Sequence, residues 1–206
     1  MNEQTNKVDR VAQARNKSKA TLGTDFGRPV FLRIIKEERI LELWVQHTGC
    51  WKILKTYRIV GMSGGLGPKT AEGDAQAPEG FYAVVPQGLN PRSKFHLSFN
   101  IGYPNRYDRS LGRTGSYIMV HGGESSVGCF AMTDACIEEI YTMVHEAFLA
   151  GQLSIPVQSY PFRMTPERMQ AEIHSPHHGF WRLLQPGWLH TEQFHAPAPA
   201  LYRHPQ

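Results

Sequence analysis

Tyr117 to Asp134 reads YIMVHGGESSVGCFAMTD and sets one histidine and one cysteine at the two ends of a short glycine-rich loop. The apolar run Tyr117, Ile118, Met119, Val120 predicts a buried strand ending at His121, and Thr133 predicts the N-cap of a following helix. Cys129 then falls between strand end and helix start. Gly122, Gly123 and Gly128 let the chain turn sharply, so the Gly128 and Cys129 amides can face a developing oxyanion. An ordinary thiol, with a pKa of ~8.5, needs a nearby imidazole or helix N-terminus to become a thiolate at neutral pH. Read locally, the commoner outcome is different: a buried cysteine acting as a small hydrophobe and a histidine that only closes a strand.

Working outward, the pattern is β on the N-terminal side. Val30 to Ile35 and Ile40 to Val45 flank the charged turn 36–39, and Trp51 to Val60 follows Thr48 and Gly49. Strands are expected again at Phe81 to Val85 and Phe95 to Asn100, with one more across Ile155 to Val157 and Pro161 to Met164. The glycine-rich stretch 61–80 contains GGLGPKT, but Pro68 separates Gly67 from Lys69 and removes the Gly-Lys pair of a phosphate loop, leaving a long surface loop near the site, where substrate-contacting segments are common but plain connection is the default. After the motif, Ile137, Ile140, Tyr141, Val144 and Phe148 share one face of a helix that stops at Gly151, with Glu138, Glu139 and Glu146 away from that face. Thr165 and Pro166 begin a short helix. The resulting organisation is a polar N-terminal arm (1–27), read as a solvated helix or disordered, a main domain (28–165), a C-terminal helical extension (166–194) and a flexible tail (195–206). The fold class is mainly β with packed helices, α+β.

The 206 residues, 41% of them hydrophobic, suit a single core. The formal charge of +4 comes from scattered basic residues, without the dense basic helix of a nucleic-acid binder. Cys50, Cys129 and Cys136 cannot all pair and have no zinc-ligand spacing, and a Cys50–Cys136 disulfide stays open. Pro176 interrupts His174, His177 and His178, which read as a surface patch, so no metal is expected. No segment approaches the ~20 apolar residues of a membrane span, and 1–20 lacks the apolar region of a secretory signal.

HGGESSVGCFAM resembles the histidine plus SHGC signature of the YkuD-type L,D-transpeptidase catalytic domain, closest to its YafK-like branch. The resemblance extends through APEGFYAVVP (77–86), SKFHLSFNIGYPNRYDR (93–109), GRTGSYIMVHG (112–122) and YPFRMT (160–165). It implies a β-sandwich-like domain with a helix behind the catalytic loop. By position, Cys129 matches the nucleophile and His121 the general base. Gly128 and Cys129 supply oxyanion-hole amides, and Ser126 and Gly122 support them. Two positions depart from the wider family: Val127 stands where a second histidine is usual, and Ala131 where arginine or asparagine is usual. Arg113, Asn100 and Tyr103 are candidate substrate-binding side chains, with Arg106 and Arg109 as further carboxylate clamps.

The implied chemistry is a cysteine-dependent attack at the L-centre of diaminopimelate in a peptidoglycan stem peptide, through an acyl-thioester and without a cofactor. The YafK-like resemblance and the two departures favour hydrolysis of the bond joining murein to an outer-membrane lipoprotein. The alternatives are a transpeptidase forming cross-links or lipoprotein attachments, a secreted antibacterial effector with the same chemistry, and an inactive wall-binding module. The expected partners are stem peptides and murein-bound lipoprotein, not nucleic acid. Work on the wall implies the periplasm of a Gram-negative bacterium, reached after removal of a signal or by a dedicated secretion machine.

Overall fold

The computed structural model describes the backbone of residues 5–198 and side chains from Arg10 onward. Residues 1–4 of the expected arm and 199–206 of the expected tail lie outside the described residues. In chain order the elements are α1 (Thr5–Leu22), β1 (Val30–Ile35), β2 (Ile40–His47), β3 (Cys50–Arg58), β4 (Gly80–Val84), β5 (Leu89–Asn90) and β6 (Ser98–Asn100). There follow α2 (Arg106–Ser110), β7 (Met119–His121), β8 (Phe130–Ala131), α3 (Asp134–Leu149), β9 (Ile155–Tyr160), α4 (Pro166–Ala171) and α5 (His178–Phe194). The fold is α+β, with one sheet ordered β3-β2-β1-β9-β4 and a second ordered β5-β6-β7-β8.

The β2–β3 hairpin closes as the sequence suggests, because Thr48 (φ 45°) and Gly49 (φ 86°) both take the left-handed conformation of a tight hairpin turn. Every residue of β1 is buried. On one face, Leu32 and Ile34 join Phe99 and Val120 of the second sheet and Ile137, Ile140 and Val144 of α3 in a shared core. On the other face, α4 and α5 bring Met169, Trp181, Leu184 and Trp188 against Ile35, Tyr160, Phe162 and Met164. The strand expected across 155–164 ends at Tyr160, and the next four residues instead drop Phe162 and Met164 into this second cluster. Arg33 sits inside it, bonded to Glu42 (2.7 Å) and Glu192 (2.6 Å) and flanked by the rings of Trp44 and Trp188.

The N-terminal stretch is helical and docked. Arg15 pairs with Glu146 and Lys17 with Glu138, both at 2.8 Å, so two carboxylates read as solvent-facing on α3 are buried under α1. A polar face without apolar periodicity gives no sign of its cover, since ion pairs between helices leave no hydrophobic stripe. All three cysteines are free. No helix among the described residues is long and apolar enough to cross a membrane.

Candidate active site

β7 delivers His121, and the chain then turns through Gly122 to Gly128 and returns as β8, parallel to β7, with Cys129 immediately before it. The turn is held from below by α3. Thr133, at φ 67°, caps that helix by accepting from the Cys136 amide, and Asp134 accepts from the Gly123 amide at 2.8 Å. Gly122 has no room for a side chain: a Cβ there would meet Asp134 Oδ1 at 2.5 Å and the Phe95 carbonyl at 2.7 Å.

His121 is 4% exposed, with the Phe95 ring 4.7 Å from its own. Its Nδ1 lies 2.6 Å from the Gly122 carbonyl, which can only accept, so Nδ1 carries the proton and Nε2 is a free base. Nε2 lies 3.1 Å from Ser126 Oγ, whose hydroxyl donates to it. Cys129 Sγ accepts from the Met119 amide at 3.2 Å and lies 3.6 Å from the Tyr117 carbonyl. Burial pushes the thiol up, opposed by the Met119 amide, the charge of Lys69 and the Ser126 hydroxyl, whose single proton can serve either Nε2 or a thiolate but not both at once. Ser126 thus interacts with both partners.

Burial also lowers His121 below 6.5, against the Gly122 carbonyl. Both shifts disfavour the charged forms, so the resting pair is neutral imidazole with thiol rather than an ion pair. Alkylation of Cys129 by iodoacetamide is therefore expected to keep rising with pH toward and beyond 9, without the low-pH plateau of a preformed thiolate–imidazolium pair. A plateau between pH 5 and 7 would contradict this electrostatic account.

Cys129 opens onto a cleft of about 210 Å³ lined by Lys69, Glu72, Gly73, Ala75, Gly115–Ile118, Val127 and Gly128. Tyr117 and Val127, 75% and 74% exposed, form an apolar lip. The Gly128 amide, expected at the oxyanion position, donates to Ser63 Oγ at 2.7 Å. It serves an oxyanion only once that hydroxyl turns away.

The other expected substrate contacts lie elsewhere. Arg113 is held by Asp108 (2.7 Å) and stacked over Phe180, because the Asn105 cap of α2 places Asp108 beside it. Asn100 accepts from the Gly102 amide. Tyr103 is buried, its hydroxyl donating to the Lys69 and Thr114 carbonyls. None of these three side chains lines the cleft. Lys69, which the sequence reading does not single out, lines the cleft with Cys129 and is carried there by the 61–80 loop expected near the site.

The YkuD family model, described as the L,D-transpeptidase catalytic domain, matches residues 30–181. The protein "Putative L,D-transpeptidase YafK" of Escherichia coli K12 is 45% identical over 171 residues, covering 83% of this chain and 70% of that protein, and its counterpart in strain O157:H7 gives the same figures. The crystal structure of the helical cell shape determining protein Pgp2 from Campylobacter jejuni superposes with a TM-score of 0.52 at 20% identity, over 76% of this chain. A mutant of Pgp2 gives 0.53 at 20% identity, over 84% of the chain. The chain spans 59% and 63% of those two structures, and at this identity they establish the fold alone. With the family match covering most of its length and a relative at 45% identity, the chain belongs to the YkuD L,D-transpeptidase catalytic domain family.

Proposed function

We propose that the protein is a cysteine-dependent peptidoglycan enzyme that acts at the L-centre of diaminopimelate and hydrolyses the amide joining murein to a lipoprotein lysine. The observation that carries the reading is the meeting of three groups at the edge of an open cleft: His121 Nε2, bonded to Ser126 Oγ, and the Cys129 thiol, whose ionisation Ser126 also favours. In this reading Cys129 gives its proton to Ser126 as Ser126 gives its own to His121, and the thiolate adds to the carbonyl. The Cys129 amide, joined by Gly128 once Ser63 releases it, stabilises the oxyanion. His121 protonates the departing amine, leaving an acyl-thioester. Water attacks it with His121 again as base, and the products are a free carboxylic acid and the regenerated thiol.

If an amine replaces that water, the same thioester gives transpeptidation, the reaction in the relative's name. The absence of a second histidine at Val127, which instead exposes an apolar side chain beside the sulfur, favours cleavage. The work of the cell-shape protein whose fold this chain shares fits a substrate in the wall, and the E. coli relative fits a Gram-negative envelope setting.

The test is incubation of wild type and Cys129→Ser with purified murein carrying covalently bound lipoprotein, followed by mass analysis of what is released. Lipoprotein free of diaminopimelate, from wild type only, is the expected result. New diaminopimelate cross-links would assign the transpeptidase reaction instead, and no product from wild type would overturn the catalytic reading.

A further inference from the structure

Lys69 is a buried cation on the wall of the nucleophile's cleft. Only 5% exposed, it donates to the Ala71 carbonyl at 2.8 Å and to Asp74 Oδ1 at 2.5 Å. That carboxylate is already shared: Asp74 also accepts from the amides of Thr70, Ala71 and Gln76 at 2.8 to 3.0 Å. Burial works to raise the Asp74 carboxyl, but the Ala71 amide, Lys69 and the Thr70 and Gln76 amides hold it down at about 2. Three backbone dipoles thus carry part of the carboxylate's charge, and the ammonium keeps net positive character toward the cleft, where it is felt at Cys129. Glu72 lines the same cleft at its exposed rim. A cleft of about 210 Å³ is smaller than the ~300–1,000 Å³ of sites for whole small molecules, and suits one charged end of a substrate.

We propose that this cleft is a subsite for a free amino-acid centre carried on the acyl side of the scissile bond, with Lys69 taking its carboxylate and Glu72 its ammonium. The inference rests on the reading above, in which that centre is the distal one of diaminopimelate. It makes Lys69 and Glu72 specificity-determining residues. A diamino acid whose distal end is capped loses one of the two charged contacts, which is how polar sites reject close analogues.

Binding separates this subsite from catalysis. In Cys129→Ala protein, calorimetry compares three stem peptides: one with the distal centre of meso-diaminopimelate free, its distal carboxamide, and its distal N-acetyl form. The carboxamide and the N-acetyl form are each expected to bind at least about 10-fold more weakly than the free peptide. Adding Lys69→Met should erase the difference between free peptide and carboxamide, and adding the rim change Glu72→Gln that between free peptide and N-acetyl form. Equal binding of all three peptides, or of none, overturns the subsite without touching wild-type turnover. So does a Lys69→Met protein that loses affinity for all three alike while keeping their ratios, because that is the mark of a purely structural tie to Asp74. Discrimination in binding without wild-type turnover would instead sink the catalytic reading and keep the subsite.

Discussion

His121→Ala is expected to lower kcat by about 10³-fold, and Ser126→Ala by about 10- to 100-fold, with the fold of both intact by circular dichroism. The first figure follows from losing the base that, among the described residues, the geometry offers to the sulfur. Nδ1 is committed to the Gly122 carbonyl, so every proton from Cys129 must reach Nε2. The second follows from the position of Ser126, whose hydroxyl donates to Nε2 and also favours the thiolate. Single-turnover kinetics give the check, because they isolate acylation from the later hydrolysis. A Ser126→Ala enzyme as fast as wild type would mean that substrate binding brings imidazole and sulfur into direct contact, and the serine would then be only a spacer. Ser126→Thr, which keeps the hydroxyl, should stay within a few-fold of wild type if the relay operates.

The pair proposed as nucleophile and base, Cys129 and His121, stands out in the chain because its signals are local. A histidine ending an apolar run, a glycine turn, a cysteine and a capping threonine all lie within eighteen residues. Arg113 misled because its partners are not in its own segment: Asp108 reaches it only once Asn105 caps α2, and Phe180 arrives from α5. Glu138 and Glu146 misled for a related reason, since a carboxylate looks the same in sequence whether water or a docked helix faces it. Lys69 was hidden most completely. Its segment reads as a failed phosphate loop and then as a loop near the site, while the place of Lys69 itself depends on the turn built around Asp74 and on contacts from Lys36, just after β1, and from α5.

Those contacts lead to the largest stability effect expected in the molecule. Lys36 follows the last residue of β1 and is 2% exposed, yet its ammonium has three acceptors at 2.9 Å: the Gly67 and Ala77 carbonyls and Glu79 Oε1. Glu79, fully buried, also accepts from the Gly67 amide and from Trp181 Nε1 at 2.8 Å. One ion pair therefore ties the sheet, both ends of the segment carrying Lys69, and α5. Burial pulls the Lys36 ammonium below its usual 10.5, with Glu79 beside it resisting. Lys36→Met removes the cation but leaves the carboxylate buried without its counter-ion, and is expected to destabilise the fold by about 3–5 kcal/mol. In a chain of this size that corresponds to a fall in Tm on the order of 10 °C. Lys36→Met combined with Glu79→Gln should be more stable than Lys36→Met alone because the stranded charge is gone, but the recovery is only partial, since the single amide oxygen keeps either the Gly67 amide or Trp181 Nε1 and turns its NH2 toward the other donor. Denaturant titration of the wild type, both single variants and the double closes the cycle. A double variant no more stable than Lys36→Met would show that hydrogen bonds, those of Lys36 to the two carbonyls and of Glu79 to Gly67 and Trp181, outweigh the stranded charge.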